Sequence, residues 1–537
     1  MRSISPHLIR IASVICCLIA TACSGGGGSG ESSSGTLSFS VSVSTLNYSI
    51  NNSPVAADFT REFTVNSRIN QNWNASVDVN WLSVLPASGN ANSETKVTTS
   101  LVQAQLDGML NGTYIGTVTI TPSNAMVVTI PVTLTISQTQ VNYAAPYVAT
   151  SGDSNKVIIR GENFDQVAVQ NVMFGGTNAT TFNVISDTEV WATHPALTPG
   201  NYTVQLQNNL GINRSIANLV VVDAPAFAET TLIYPPIPPV GVTSSQVIDL
   251  EYDAERKTIF VARTFFPSGL LPNQVHRYKH TTGWSAESGI SIPDLIDLAL
   301  STDGKLWLAT LSSSITQYDA TNMNIGSKTD DTINSSNVLL QKLAIANDGS
   351  AVGIASNPPD CGNIIKYRIR NPVISALGNF NTCQAQAGGS TDGSSIIAGT
   401  SISGDIYIFS ASTGNLSPTG IPLTLTSSPV LNRSGSIIVL NNTRVYDANF
   451  ILLGELPATT QAITLNPDGS RAYTYDSSEK VRTFDLTSTP VGGMFPEIGT
   501  GISPSSNPGT GVQLIISPDG GTLFLAGKNM LVVFPAP

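Results

Sequence analysis

The stretch Leu295-Ile-Asp-Leu-Ala-Leu-Ser-Thr-Asp-Gly-Lys-Leu-Trp-Leu-Ala309 holds most of one unit of the pattern that decides the fold. An apolar segment leads into an Asp-Gly turn, and a second apolar segment leaves it. An apolar residue and an aromatic three positions later, Ile315 and Tyr318, then mark a third segment. Short apolar segments separated by turn residues indicate antiparallel β-strands.

The same two markers recur in step along the last three hundred residues. The aromatic pairs are Val275–Tyr278, Ile315–Tyr318, Ile364–Tyr367, Ile406–Phe409, Thr443–Tyr446, Val481–Phe484 and Leu531–Phe534. The turns are Asp253-Ala254, Asp303-Gly304, Asp348-Gly349, Asp392-Gly393, Ser434-Gly435, Asp468-Gly469 and Asp519-Gly520. The aromatics are 37 to 50 residues apart, which is the period of a propeller blade. Residues 228–537 are therefore predicted to form a seven-bladed β-propeller of four-stranded blades.

The last repeat has room for only three strands, Val512–Ile516, Thr522–Leu525 and Met530–Phe534. A propeller has to close its ring or leave a sheet edge unpaired. The spare strand Thr231-Leu-Ile-Tyr234 is predicted to complete the seventh blade. The repeats resemble YVTN and WD-repeat-like propellers, although no Trp-Asp dipeptide is present.

The N-terminus reads as an export signal over residues 1–22. Arg2 and Arg10 precede an apolar core, and Ala20-Thr-Ala-Cys23 resembles the lipobox of bacterial lipoproteins. That resemblance implies lipidation at Cys23, with 23–35 as a Gly/Ser tether. An ordinary cleaved signal is the alternative. Ser24 favours the outer membrane if enterobacterial sorting rules apply, so we expect a lipid-anchored protein of the bacterial cell envelope.

Residues 36–137 alternate apolar and polar residues, which predicts a β-sandwich. The run from Trp73 and Trp81-Leu-Ser-Val-Leu-Pro to Asn111-Gly-Thr-Tyr-Ile-Gly116 resembles the BACON family of immunoglobulin-like modules. Members of that family are often attached to carbohydrate-active enzymes and were proposed to bind glycans. Trp73 and Trp81 are either an aromatic platform for sugars or core residues of the sandwich.

Residues 144–223 contain Val157-Ile-Ile-Arg-Gly-Glu-Asn-Phe164, Val172-Met-Phe-Gly-Gly176 and Pro199-Gly-Asn-Tyr-Thr-Val204 in order. This succession resembles the IPT/TIG family, which is also immunoglobulin-like. The resemblance implies a spacer or packing module. The whole chain is thus expected to be all-β, with two immunoglobulin-like sandwiches before the propeller.

Composition argues against several classes of function. Charged residues make up 11% of the chain, and its net charge is −11. Loss of Arg2 and Arg10 with the signal leaves 23 basic against 36 acidic residues, a charge of −13. We expect no nucleic-acid partner for such a chain. Catalytic and nucleotide-binding motifs are not visible, so we expect no enzyme and no cofactor.

Histidine is scarce, and His276 and His280 share a strand face at a spacing that could serve a metal. Other residues occupy the His276 slot in the remaining repeats, so this is interpreted as an ordinary blade position, without a metal.

Long segments between second and third strands, and between blades, should open on the face opposite the Asp-Gly turns. Such enlargement on one face is where function usually lies. Side chains that could contact a ligand there are Phe265, Phe266, Asp330, Asp331, Asp360, Phe495 and Glu497. Variable surface loops without a ligand are the alternative.

Cys361 and Cys383 also fall on that face, where export permits a disulfide between them, with two free thiols as the alternative.

These inferences favour an envelope scaffold whose propeller binds a protein or glycan ligand. A polysaccharide-degrading hydrolase or lyase with accessory modules is the first alternative, and a structural or assembly protein of the envelope is the second. The sequence leaves the oligomeric state open.

Overall fold

The computed structural model describes residues 39–537, apart from several internal segments. Those segments are 68–69, 91–93, 107–108, 165–168, 209–210, 213, 226, 236–243, 267–271, 302–304, 311–314, 330–338, 357–362, 369–373, 380–384 and 401–403. Two compact units make up the chain. One extends to Leu46 and adds Thr60–Leu106 and Ile115–Thr133. The other holds Asn47–Phe59, Asp107–Tyr114 and Leu134–Pro537.

The first sandwich has two sheets, with orders β1–β3–β7–β5 and β2–β9–β8–β4–β6. Alternation of apolar and polar residues creates its core. In β9 the buried residues Ile130, Val132, Leu134 and Ile136 alternate with threonines and a proline. Its elements are β1 (Phe39–Val41), β2 (Leu46–Ile50), a 3-10 helix (Ala56–Phe59), β3 (Thr60–Ser67), β4 (Asn72–Val77), β5 (Leu82–Leu85), β6 (Ser88–Asn90), β7 (Thr95–Leu101), α1 (Gln103–Leu106), β8 (Gly112–Pro122) and β9 (Val128–Ile136).

The second sandwich packs one sheet of order β15–β16–β12–β10–β19 against another of order β11–β20–β17–β13–β14, with β18 paired to β17. Inward-facing residues of both sheets, among them Val157, Ile159, Phe174 and Leu219, form one core. Its strands are β10 (Gln140–Ala145), β11 (Val148–Thr150), β12 (Lys156–Glu162), β13 (Asn171–Phe174), β14 (Thr177–Asn178), β15 (Thr181–Ser186), β16 (Glu189–Thr193), β17 (Gly200–Asn208), β18 (Gly211–Ile212), β19 (Arg214–Ser215) and β20 (Asn218–Val222).

Seven four-stranded antiparallel sheets form the propeller. Blades 1 to 3 are β22 (Ser244–Asp253), β23 (Thr258–Phe266), β24 (Asn273–His280) and β25 (Trp284–Ile292); β26 (Leu295–Leu300), β27 (Lys305–Thr310), β28 (Ile315–Asp319) and β29 (Ile325–Thr329); and β30 (Leu339–Ile345), β31 (Ser350–Ser356), β32 (Asn363–Arg368) and β33 (Ile374–Asn379).

Blades 4 to 6 are β34 (Ala385–Gly389), β35 (Ser395–Thr400), β36 (Asp405–Ser410) and β37 (Asn415–Pro422); β38 (Val430–Leu431), β39 (Ile437–Leu440), β40 (Arg444–Asp447) and β41 (Leu452–Glu455); and β42 (Thr460–Leu465), β43 (Arg471–Asp476), β44 (Val481–Asp485) and β45 (Glu497–Ile502). Blade 7 joins β46 (Gln513–Ile516), β47 (Thr522–Ala526) and β48 (Met530–Pro535) to β21 (Thr230–Ile233), which comes from before the first blade.

The predicted closing strand is confirmed. β21 pairs antiparallel with β48, and Leu232 lies opposite Leu531. The pairing protects the edge of the last sheet and ties the start of the propeller to its end.

Where the structure describes their side chains, the second strands of the blades are largely buried, because neighbouring blades pack face to face. All five residues of β47 are buried, unlike the alternating strands of the sandwiches. One core cluster joins Ala462 and Tyr473 of blade 6 to Leu514 and Leu523 of blade 7. This packing explains the small and apolar residues that follow each Asp-Gly turn.

Candidate functional site

We call the propeller face that carries the turns between first and second strands the turn face, and the opposite face the loop face. On the turn face, Asp348, Asp392 and Asp468 each accept a hydrogen bond from the backbone N–H two residues later, at 2.9, 2.9 and 2.8 Å. Such side-chain bonds replace a backbone turn bond, which is why Asp opens these turns. The turn residues thus align a set of carboxylates on one face.

The second sandwich docks on the turn face. The Tyr147 hydroxyl lies 3.5 Å from Oδ1 of Asp253 in blade 1. In blade 3, Gly349 has a φ of 75° and packs so closely on Tyr143 that an added Cβ would lie 2.2 Å from the tyrosine ring. The charge of Asp153 acts on Arg433 of blade 5. The two contacts and this electrostatic interaction therefore involve three alternate blades of the propeller.

A buried cation anchors this interface. Arg160 donates from Nε to Oδ1 of Asn347 at 3.0 Å, and its Nη1 lies 3.0 Å from Oε2 of Glu189. Burial lowers the pKa of Arg160, while the carboxylates of Glu189, Asp348 and Asp392 act in the opposite direction. The guanidinium thus links an acid of the sandwich to the acids of the turn face.

Apolar contacts complete the interface. Val148 belongs to one buried cluster with Tyr252 and Ala254 of blade 1 and with Leu531 and Val533 of blade 7. Burial of such a cluster stabilises the docked arrangement at roughly 25 cal/mol per Å² of apolar surface removed from water. The second sandwich and propeller therefore share a core as well as a polar interface.

A channel of about 710 Å³ runs along the propeller axis between the first strands of the blades. At the turn-face end it is also lined by Pro146, Tyr147 and Val148 of the second sandwich. At the loop-face end, its described lining comes from the propeller itself, including Gln246 and Asn442. The volume is in the range of ~300–1,000 Å³ that is usual for ligand pockets.

One position of the first strand forms a ring around the channel. In six blades this residue pairs with the fifth residue of the second strand, as Asp249 does with Ala262 and Gln513 with Ala526. In blade 5 the position falls just before β38, at Ser428. We name the set the polar ring: Asp249, Asp297, Lys342, Gln386, Ser428, Ala462 and Gln513, all of which line the channel.

Neighbouring members of the polar ring contact one another. Lys342 Nζ lies 3.0 Å from Oδ1 of Asp297, and Ser428 Oγ donates to Oε1 of Gln386 at 3.0 Å. Asp297 Oδ2 also accepts the backbone N–H of Leu343 in the next blade at 2.7 Å. These contacts join adjacent blades around the channel.

The charged half of the ring is largely self-neutralising. Burial, followed by the Asp297 carboxylate, raises the pKa of Asp249 well above its usual value. The same two effects raise the pKa of the nearby Glu251 to about 8. Burial acts to lower the pKa of Lys342, but Asp297 and Asp249 outweigh it and the pKa is raised. The cluster therefore contains one Asp297–Lys342 ion pair beside two acids, Asp249 and Glu251, whose carboxyl groups are made harder to ionise by burial.

The structure places the predicted ligand contacts in different surroundings. Phe265 and Phe495 are buried, with 2% and 4% of their surfaces exposed. Phe266, at the loop-face end of β23, is 39% exposed. Glu497 pairs with Arg482 at 2.8 Å on an outer strand. Of these four, Phe266 is the aromatic that the loop face presents to solvent.

Several predicted residues lie outside the described part of the chain. They are Cys23, Asp330, Asp331, Asp360, Cys361 and Cys383. Lipidation, the disulfide and these three loop acids stay predictions.

Trp73 and Trp81 lie in the interior of the first sandwich, 1% and 6% exposed. An added Cβ on Gly89 would lie 2.6 Å from the Trp73 ring, so the tryptophan fills its site tightly. Neither ring presents a face to solvent in this arrangement.

His276 is buried beside a second cation. Its Nε2 lies 3.3 Å from Nη1 of Arg263, and burial, followed by that guanidinium, lowers the His276 pKa to about 4. Tyr234 stacks on His276 and lies 4.1 Å from the Arg263 guanidinium. Across the described residues, no group of three or more His, Cys, Asp or Glu is arranged to hold a metal ion.

The polar ring was not predicted from the sequence, although a repeated sequence pattern indicates it. Ile248-Asp249-Leu250 recurs as Ile296-Asp297-Leu298, and Gln341-Lys342-Leu343 follows in the next repeat. An ionisable residue at one position of three successive apolar strands indicates side chains at one depth of the channel.

Family models match two segments of the chain. A viral BACON domain model covers residues 39–133, and an IPT/TIG domain model covers 141–221. The chain thus carries a BACON domain, an IPT/TIG domain and a C-terminal β-propeller. No curated protein matches it in sequence. Within the described residues, no helix is both long and apolar enough to cross a membrane.

Solved propellers are similar to the chain at low sequence identity. A chain of the mitotic checkpoint complex is 14% identical with a TM-score of 0.44, covering 59% of this chain and 98% of that one. The Cps50 (Swd1) β-propeller domain of Myceliophteria thermophila is 11% identical with a TM-score of 0.42, covering 57% and 100%. Hsv2 of Kluyvelomyces marxianus is 11% identical with a TM-score of 0.35, covering 53% and 90%.

Proposed function

We propose that the protein is a lipid-anchored scaffold of a bacterial cell envelope that presents the loop face of its propeller to a protein or glycan ligand. The observation that carries this proposal is the docking of the IPT/TIG domain on the turn face. One end of the ring is thereby used for attachment. Within residues 134–537, the loop face is the end at which no described part of the IPT/TIG domain lines the channel.

The interface between the IPT/TIG domain and the propeller is suited to holding the propeller in a fixed orientation. Arg160 and Glu189 form an ion pair whose side chains are 6% and 4% exposed, and Arg160 also bonds to the propeller. Removing one partner of a buried pair leaves an uncompensated charge, at a cost of roughly 3–5 kcal/mol. The propeller is thus held in one orientation, which a presented binding face requires.

The channel acids support binding rather than hydrolysis. Asp297 accepts hydrogen bonds from Lys342 and from a backbone N–H, and Glu251 accepts one from the backbone of Leu300. A hydrolase that uses two carboxylates needs one of them free to act as nucleophile or base. Here the Asp297 carboxyl group is occupied by contacts between blades.

Anchoring is tested by feeding cells an alkyne-labelled fatty acid and isolating the protein. We expect label on the wild type and its loss in Cys23→Ser, with release of that variant from the envelope fraction. Label retained by Cys23→Ser would contradict anchoring at this cysteine.

Presentation by the loop face is tested with a soluble form that starts at Gly35. This form is crosslinked to detergent-solubilised envelope proteins and applied to a glycan array. Phe266→Ser should weaken ligand binding at least ~10-fold, because exposed aromatics contribute strongly at interfaces. Ile451→Ser is the matched control, since Ile451 is a 61% exposed apolar residue just before β41, on the turn-face side. An equal loss of ligand binding in Phe266→Ser and Ile451→Ser, or no loss in either variant, would contradict the proposal.

A further inference from the structure

Residues of the IPT/TIG domain lie at the turn-face end of the channel. Tyr147 and Tyr143 of the IPT/TIG domain contact blades 1 and 3, and the charge of Asp153 acts on Arg433 of blade 5, so the domain lies over the turn-face end of the channel. Its residues Pro146, Tyr147 and Val148 line the turn-face end of the channel. A ligand would therefore enter from the loop face and meet the polar ring.

The neutral half of the ring offers hydrogen bonds of both kinds. Gln386 and Gln513 are half-buried amides that line the channel, and Ser428 donates to Gln386 at 3.0 Å. Gln246 and Gln461 are exposed and line the same end. An amide side chain has two donors on nitrogen and an acceptor oxygen, which matches a hydroxyl that both donates and accepts.

The charged half carries little net charge toward a ligand. Lys342 is committed to Asp297, and burial beside Asp297 raises the pKa of Asp249. Lys342, the cation of the ring, is thus already paired and is not offered to a phosphate or sulfate.

Space for a ligand exists where the ring is interrupted. The ring residue of blade 6 is Ala462. The channel, of about 710 Å³, passes this small side chain. The polar groups of the ring therefore line the channel without filling it.

We propose that the polar ring is a binding site for the end of a neutral, polyhydroxylated glycan that enters the channel from the loop face. This rests on the proposed function and deepens it, because it assigns the ligand class and the residues that select it. Gln386, Ser428 and Gln513 bind sugar hydroxyls directly. The Asp297–Lys342 pair holds the opposite wall in place and supplies no net charge.

The test uses the soluble chain from Gly35 on an array of neutral oligosaccharides that includes sialylated and sulfated counterparts. The double variant Gln386→Ala/Gln513→Ala should bind neutral oligosaccharides about 10- to 100-fold more weakly, as expected for the loss of two hydrogen-bonding groups. Gln170→Ala, an exposed glutamine of the IPT/TIG domain, should bind like the wild type. Thermal unfolding of each variant checks that the fold is retained.

The outcomes separate this inference from the broader proposal. Absence of oligosaccharide binding, binding that the double variant retains, or preference for the sulfated or sialylated series would overturn the glycan site. In that case, crosslinking to an envelope protein that is lost in Phe266→Ser would still support the proposed scaffold function of the loop face. Neutral glycan binding lost in the double variant but kept in Gln170→Ala supports both.

Discussion

Arg160 of the IPT/TIG domain donates a hydrogen bond from Nε to Oδ1 of Asn347 in the turn of blade 3, at 3.0 Å, and both side chains are buried. The same guanidinium pairs with Glu189 within its own domain. The Arg160 side chain therefore takes part both in the ion pair inside the IPT/TIG domain and in the contact of that domain with the propeller.

Arg160→Ala should lower the free energy of unfolding by roughly 3–5 kcal/mol, because Glu189 is left as an unpaired buried charge. Asn347→Ala should cost less, about 1.5–3 kcal/mol, since it removes one hydrogen bond to a charged group. Urea denaturation measures both. Lys96→Ala is the control, because Lys96 and Glu62 form an exposed pair that is worth at most ~1 kcal/mol. Equal effects of Arg160→Ala and Lys96→Ala would contradict the anchoring role.

The closing strand gives a second prediction from two adjacent residues. Leu232 is 8% exposed and packs in the core shared with blade 1, whereas Ile233 is 74% exposed. Leu232→Ala should lower the free energy of unfolding by about 2–5 kcal/mol. Ile233→Ala should change it by no more than ~0.5 kcal/mol. Hydrogen exchange should accelerate at residues 530–533 in the first variant alone. Unchanged exchange there in Leu232→Ala would show that closure does not depend on this contact.

The raised pKa values in the channel predict how stability depends on pH. An acid whose folded-state pKa is raised binds more protons in the folded than in the unfolded state, so stability falls as pH rises between the two values. For Glu251 this window runs from 4.5 to about 8. Asp485, whose pKa is lowered to about 2 mainly by hydrogen bonds from Thr487 and Ser488, gives its stabilisation fully above 3.8 and adds no slope in that window.

Glu251→Gln should therefore flatten the fall in stability between pH 4.5 and 8 by up to about 1.4 kcal/mol per pH unit. Asp249 keeps its own contribution in this variant. Urea denaturation at a series of pH values measures the slope, with Glu497→Gln on an outer strand as the control. A slope equal to that of the wild type would show that Glu251 is ionised in the folded protein at neutral pH.

The blade count and the closing strand could be predicted because their causes are local. An Asp-Gly turn, an apolar run and an aromatic at a fixed spacing each constrain a few neighbouring residues. The docking position of the IPT/TIG domain could not be predicted from the sequence. Gly349 and Tyr143 are about two hundred residues apart, and nothing in either segment identifies its partner.

The difference between Phe265 and Phe266 has a similar origin. Successive side chains of a strand point to opposite faces, so only one of two adjacent aromatics reaches solvent. Which one does so depends on the register of β23, in which a shift occurs between Val247 and Asp249 of its partner strand. The polar ring follows the same register, and this is why its members are recognised only once the pairing is known.

The first sandwich provides the last prediction, on the role of Trp73. The buried ring, packed against Gly89, predicts that Trp73→Ala lowers the stability of the BACON domain by about 3–5 kcal/mol. Gly89→Ala should also destabilise it, because the added Cβ meets the same ring. Ile115→Ala is the control, since Ile115 in β8 of the same domain is 76% exposed. If Trp73→Ala instead abolished glycan binding while unfolding unchanged, the tryptophan would have to turn outward to stack on sugar, and the platform alternative would prevail.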